Sequence, residues 1–160
     1  MPVPTQELKL QIVNAATGKP LGAPASPGAD GALVVREFPD GGPRPHQWHL
    51  VPAQDDHAYV IRNADSGKVL DDPAAADRRV RQVTAAAGRQ SQQWHIVPVD
   101  GEAGCYFIEG ATDSAVLDLA DGAQGESGIV LREYDDTAPS QRWQLIPAEP
   151  ERISDPLLRW

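Results

Sequence analysis

Gln47-Trp48-His49-Leu50-Val51-Pro52, Gln93-Trp94-His95-Ile96-Val97-Pro98 and Arg142-Trp143-Gln144-Leu145-Ile146-Pro147 are three versions of one phrase. Their tryptophans stand 46 and then 49 residues apart. A period of that length marks a supersecondary unit present in three copies, and copies of such a unit bury their apolar faces against one another.

The similarity runs outward from the tryptophans. Lys9-Leu10-Gln11-Ile12-Val13-Asn14 aligns with Ala58-Tyr59-Val60-Ile61-Arg62-Asn63 and with Cys105-Tyr106-Phe107-Ile108-Glu109-Gly110. Each segment alternates apolar residues as a strand does. A turn follows, ending at Gly18, Gly67 and Ser114, and glycine there takes the positive φ that such turns require. A second strand carries Leu21, Leu70 and Leu117. Their spacings of 49 and 47 equal those of Ile12, Ile61 and Ile108, so the two segments align without gaps. After a loop of variable length, Val35-Arg36-Glu37-Phe38, Val80-Arg81-Gln82-Val83 and Leu131-Arg132-Glu133-Tyr134 read as third strands. The tryptophan phrase is the fourth.

The expected fold is therefore all-β, with three pseudo-symmetric four-stranded repeats and about twelve strands. Helical periodicity is not evident. The domain spans 1–150, with repeats at about 8–52, 57–98 and 104–147 and a tail at 151–160. The expected core is built from Ile12, Ile61, Ile108; Leu21, Leu70, Leu117; Val35, Val80, Leu131; Trp48, Trp94, Trp143; and Leu50, Ile96, Leu145. Burying each aliphatic member contributes roughly 1.5–3 kcal/mol, and each indole more. Leu157, Leu158 and Trp160 in the tail are expected to pack back on the domain.

Composition narrows the function classes. Of 160 residues, 41% are hydrophobic and 23% charged, a globular balance. The net charge of -9 opposes a phosphate backbone and an anionic membrane surface, so neither nucleic acid nor membrane insertion is expected. Cys105 is the lone cysteine, which excludes an internal disulfide. Met1-Pro2-Val3-Pro4-Thr5-Gln6 shows no secretory-signal pattern, so the expected location is cytoplasmic or reached by non-classical export.

With three phrases in register, the chain resembles the ricin B-type β-trefoil lectin family, which carries Gln-x-Trp once per repeat. Gln92-Gln93-Trp94 and Gln141-Arg142-Trp143 match the signature, and His46-Gln47-Trp48 departs from it by one residue. The resemblance covers about residues 8–148 and implies a six-stranded barrel capped by three hairpins. It also implies sugar sites made of an acid ending the second strand, a ring on the third strand and an amide before Gln-x-Trp. The carboxylate accepts hydrogen bonds from vicinal hydroxyls, and the ring stacks on a pyranose face.

Residue by residue, the third repeat offers Asp118, Arg132, Tyr134, Ser140 and Gln141. Strand alternation puts Arg132 and Tyr134 on one face. The second repeat keeps Asp71 but has Val83 in the ring position. The first keeps Phe38 but has Gly22 for the acid. Pro45, Ser91 and Ser140 stand where the amide is expected. The structural alternative is that Asp71 and Asp118 satisfy backbone donors and that Tyr134 is an edge aromatic. The recurring arginines Arg36, Arg81 and Arg132 either reach sugar hydroxyls or an acidic sugar, or pair with neighbouring acids.

Other chemistry finds no support. His46 and His49 read as one strand three residues apart, on opposite faces, which is poor metal geometry. Asp55-Asp56 and Asp135-Asp136 read as solvated loop acids rather than catalytic pairs. No catalytic residue, metal or cofactor is expected. The leading reading is a non-enzymatic lectin for galactose- or GalNAc-type glycans, acting through the third repeat. One such site binds near millimolar, about −4 kcal/mol, and useful avidity calls for a homodimer or array. The competing reading is a protein-binding trefoil, in particular a protease inhibitor using the loops Ala23 to Gly31 and Ala120 to Gly128. A third is a toxin-associated module with a separate catalytic chain.

Overall fold

The computed structural model describes residues 8–22, 31–35, 46–53, 58–72, 78–112, 114–120 and 127–147. The first unit contributes β1 (Leu8–Asn14), β2 (Leu21–Gly22), β3 (Gly31–Ala32), β4 (Val34–Val35) and β5 (Trp48–Pro52). The second contributes β6 (Ala58–Asn63), β7 (Val69–Asp71), β8 (Arg81–Val83) and β9 (Trp94–Pro98). The third contributes β10 (Cys105–Gly110), β11 (Val116–Leu119), β12 (Ser127–Arg132) and β13 (Trp143–Pro147). The count among the described residues is thirteen rather than twelve because the third strand of the first unit is in two pieces. The helical content described is two three-residue 3-10 turns, Gln90–Gln92 and Pro139–Gln141.

Six strands close a ring through antiparallel pairs: β1 with β5, β5 with β6, β6 with β9, β9 with β10, β10 with β13, and β13 back to β1. Each ring strand is the first or last of its unit. The second and third strands make hairpins off the ring, β7 with β8 and β11 with β12. Closure leaves the ring without an unpaired edge.

Alternation carries one side chain in two to the interior. Ile12, Ile61 and Ile108 are fully buried, as are Leu21, Leu70 and Leu117, and the three indoles Trp48, Trp94 and Trp143. Leu50 and Ile96 are buried, while Leu145 is only partly so and packs against the same cluster. The burial of Val35 and the placement of the tail lie outside the described residues.

One expected set needs correction. In the ladders Leu70 stands opposite Gln82, Leu117 opposite Leu131 and Leu21 opposite Val35. Gln82, not Val80, is therefore the counterpart of Leu131, and the true threefold set is Leu33, Val80 and Ile129, all buried. A slip of two residues keeps every side chain on its own face, so alternation alone does not detect it. Gln82 is only 1% exposed and accepts a hydrogen bond from the Ser66 hydroxyl at 3.1 Å. Glu133 does not share that face, because β12 ends at Arg132 and Glu133 is exposed beyond it.

The turn after the first strand is built alike in all three units. The N–H groups of Gly18, Gly67 and Ser114 donate to the carbonyls of Asn14, Asn63 and Gly110 at 2.7, 2.9 and 3.2 Å. All three residues have positive φ, at 72°, 76° and 64°. Glycine occupies that region without penalty, whereas serine pays for its Cβ. Ser114→Gly is therefore expected to stabilise the protein by about 0.5–1 kcal/mol, read as a raised denaturation midpoint at unchanged m-value.

Candidate functional site

Three consecutive residues tie each unit together. The indole N–H of Trp48, Trp94 and Trp143 donates to the carbonyls of Leu21, Leu70 and Leu117 at 2.9, 3.2 and 3.1 Å. The residue before each tryptophan offers its carbonyl to the next unit. Gln47 accepts from the Ala64 N–H, Gln93 from Ala111, and Arg142 closes the circle on Ala15, at 2.8, 3.1 and 2.9 Å. In the second and third units the residue before that is a glutamine, and it fastens the exit of the third strand; the first unit has His46 there. Gln92 Nε2 donates to the Thr84 carbonyl at 3.1 Å and Oε1 accepts the Ala86 N–H at 2.8 Å. Gln141 does the same with the Glu133 carbonyl at 3.0 Å and the Asp135 N–H at 2.8 Å.

Gln141 thus grips the backbone on both sides of Tyr134. Tyr134 lies two residues beyond the end of β12 and lines the same depression as Arg132. Its ring is 57% exposed and stands edge-on to Phe107, with centroids 4.9 Å apart and planes at 81°. The Tyr134 hydroxyl makes no hydrogen bond among the described residues.

Asp118, Arg132, Tyr134, Ser140 and Gln141 all line one surface depression of about 810 Å³. That volume lies within the usual range for small-ligand sites. Asp118 is 4% exposed. One carboxylate oxygen accepts the Leu119 N–H at 2.6 Å, and the other accepts Gln141 Nε2 at 3.3 Å. A carboxylate has about four acceptor positions, so these two bonds orient it without exhausting it. Arg132 Nη2 donates to the Ala120 carbonyl at 3.1 Å. The Ser140 carbonyl accepts from Asn14 Nδ2 at 2.9 Å, tying the rim to the first unit. Glu133, Asp135 and Asp136 complete the wall. The Thr137 hydroxyl and N–H both donate to Asp135 and hold its carboxyl below the usual range. Sequence reading set Asp135 and Asp136 aside as loop residues and placed Glu133 on the third strand; nothing in their spacing shows that they gather at one depression.

The second unit is built otherwise. Its clamp brackets Ala85, so Ala85 and not Val83 takes the ring position, and there is no ring in either case. Asp71 is buried and accepts the Ser91 hydroxyl at 2.6 Å. The slip also means that Arg81 and Arg132 are not counterparts: Arg81 stands opposite Asp71, and Arg132 opposite Val116. In the first unit Gly22 is buried, and Phe38 and Arg36 lie outside the described residues. So do most of the two long loops.

His46 precedes β5 rather than sharing its strand with His49, as the sequence had suggested. Among the described residues no three His, Cys, Asp or Glu side chains are grouped to hold a metal. Cys105 is buried, and burial with the nearby Glu102 pushes its thiol up. No helix among the described residues is long and apolar enough to cross a membrane.

The family model for ricin-type beta-trefoil lectin domain-like proteins matches residues 4–84. The chain belongs to this family. The match takes in the first unit and the second as far as its third strand. No curated protein matches the chain. Among solved structures, the designed 3-fold symmetric protein ThreeFoil is similar with a TM-score of 0.72 and 24% identity, over 86% of this chain and 97% of that one. The Haemophilus ducreyi cytolethal distending toxin is similar at 0.74 and 18%, over 92% and 87%. SeviL bound to asialo-GM1 saccharide is similar at 0.67 and 16%, over 89% and 98%. At these identities the likeness is one of fold.

The clamp separates two roles of the same glutamine. Gln92→Ala and Gln141→Ala are each expected to cost about 1–3 kcal/mol, because each loses two part-buried hydrogen bonds to the backbone. Only Gln141→Ala should also alter the near-ultraviolet signal and solvent quenching of Tyr134, since Gln92 brackets an alanine.

Proposed function

We propose that the chain is a non-enzymatic carbohydrate-binding protein, a trefoil of three equivalent modules of which the third carries the sugar site. The observation that carries this reading is the convergence of Asp118, Arg132, Tyr134, Ser140 and Gln141 on one depression, although they come from β11, β12, the 3-10 turn Pro139–Gln141 and the connection between the last two. Their chemistry is that of sugar recognition. Asp118 is fixed and keeps acceptor capacity for vicinal hydroxyls. Tyr134 offers an exposed face to the C–H side of a pyranose. Arg132 supplies donors at the rim. Family membership supports the reading, and so does the neighbour SeviL, which is seen with a bound saccharide.

The ligand class is a neutral galactose- or GalNAc-type glycan. One shallow preformed site of this kind binds near millimolar, about −4 kcal/mol. The second unit is assigned no part, since Ala85 stands where the third unit has its ring.

Two substitutions test this by titration calorimetry against galactose and lactose. Tyr134→Ala removes an exposed ring and is expected to weaken binding at least tenfold while the melting temperature stays within about 2 °C. Asp118→Asn exchanges one acceptor for a donor and is expected to abolish binding at a cost of about 1–2 kcal/mol of stability. Wild-type protein that responds to no sugar on a broad glycan array would remove the reading, and equal binding by Asp118→Asn would move the site elsewhere.

A further inference from the structure

Tyr134 has a second hollow beside it. A groove of about 530 Å³ runs from the same ring across the outside of the barrel. Its floor is apolar: Val97 on β9, Phe107 on β10 and Val116 on β11, with Tyr134 as one wall. Val97 and Phe107 are directly paired across the two ring strands, and Val97 is 38% exposed. The rim carries Asp100, Glu109 and Asp136, with Arg142 among them. Arg142 is already engaged, with Nη1 2.6 Å from Glu102 Oε2 and Nη2 donating to the Asp136 carbonyl at 2.7 Å. The groove therefore combines an apolar floor with carboxylate acceptors, of which Glu109 lies 3.7 Å from His95 Nδ1. It also carries a guanidinium whose Nη atoms are engaged while its Nε is buried without a hydrogen-bond partner among the described residues.

The second unit shows what this position is like without such a role. The ladder of β5 with β6 places Val51 opposite Val60 and His49 opposite Arg62, where β9 with β10 places Val97 opposite Phe107 and His95 opposite Glu109. The glutamine clamp puts Ala85 where Tyr134 stands, and Ala87 falls in the place of Asp136. Two rings and two acids of the third unit are thus a valine, an alanine, an arginine and an alanine in the second. These differences fall on the groove and on the sugar site that adjoins it. Phe107 and Val116 are 7% and 1% exposed and pack with Val99 and Cys105, so the floor is firmly held.

We propose that this groove is a subsite for a second residue of the same glycan, so that the third unit binds an oligosaccharide astride Tyr134. The inference rests on the sugar-binding reading above and extends it. The occupant is a neutral hexose or hexosamine. Its apolar face lies on Val97 and Phe107, and its hydroxyls donate to Glu109 and Asp136. Asp100, Glu109 and Asp136 together repel a sialic or uronic acid there. Continuity argues for one chain: Tyr134 and Asp136 line both hollows.

The test compares galactose with lacto-N-neotetraose, a neutral tetrasaccharide ending in galactose, by titration calorimetry on the full chain. The wild type is expected to bind the tetrasaccharide at least tenfold more tightly. Val97→Arg sets a long side chain across the groove toward Asp100 and Glu109. It is expected to bring the tetrasaccharide back to the galactose level and to leave galactose binding unchanged. Galactose and tetrasaccharide binding equally to the wild type would overturn the subsite and leave the sugar site standing. A tetrasaccharide advantage that survives Val97→Arg would also overturn it. Failure of both sugars to bind would instead overturn the underlying reading.

Discussion

An indole buried to zero exposure must find an acceptor for its N–H, and in each unit of this protein the acceptor is the carbonyl of the leucine on the second strand. That constraint organises the rest. The tryptophan begins the last strand of its unit and so belongs to the ring. The leucine belongs to the hairpin. One bond per unit therefore joins hairpin to barrel, inside a core where no water competes for it. The neighbouring carbonyl joins the unit to the next, and in the second and third units the glutamine two positions earlier joins it to the exit of the third strand. A tripeptide thus makes three kinds of connection, and repetition of it closes the circle from Arg142 back to Ala15.

The same frame explains how a site arises without disturbing the fold. The clamp of Gln92 and that of Gln141 are alike in their partners and nearly alike in their distances. What they hold differs: an alanine in one case, Tyr134 in the other. The side chain between the two clamped groups points away from the core, so it is free to vary. Asp71 and Asp118 diverge in the same way. Asp71 ends β7, Asp118 is the last residue but one of β11, and both are buried, but Ser91 turns in on Asp71, whereas Asp118 leans on Gln141 and Leu119 at the edge of an open hollow. On the reading proposed above, function is carried by substitutions at positions that the scaffold holds in place but does not need.

Much of this was legible in the sequence. The spacing of Trp48, Trp94 and Trp143 announced three units, and the gapless register of Ile12 and Leu21 with their counterparts placed the first two strands. Both depend on buried side chains, which leave a repeating record. The third strand was misread by two residues in the second unit, because a strand slipped by one full pleat keeps its pattern and Gln82 hides a polar side chain at a core position. Tyr134 was assigned to the site as the third-strand ring that the family resemblance implies; it lies beyond the end of β12, where the glutamine clamp holds the backbone on both sides of it. The apposition of Phe107 and Tyr134 had no signal at all. It joins residues of different elements, and nothing in either segment names the other.

The most direct test of the account is chemical denaturation of Trp48→Phe, Trp94→Phe and Trp143→Phe, each measured singly. Phenylalanine leaves a smaller ring and an unanswered leucine carbonyl. If the three indoles are equivalent ties between barrel and hairpin, each substitution lowers stability by a similar amount, roughly 2–4 kcal/mol. A substitution at any one of them that leaves stability within about 0.5 kcal/mol of the wild type would contradict the account, because that unit would then be held by something other than its tryptophan.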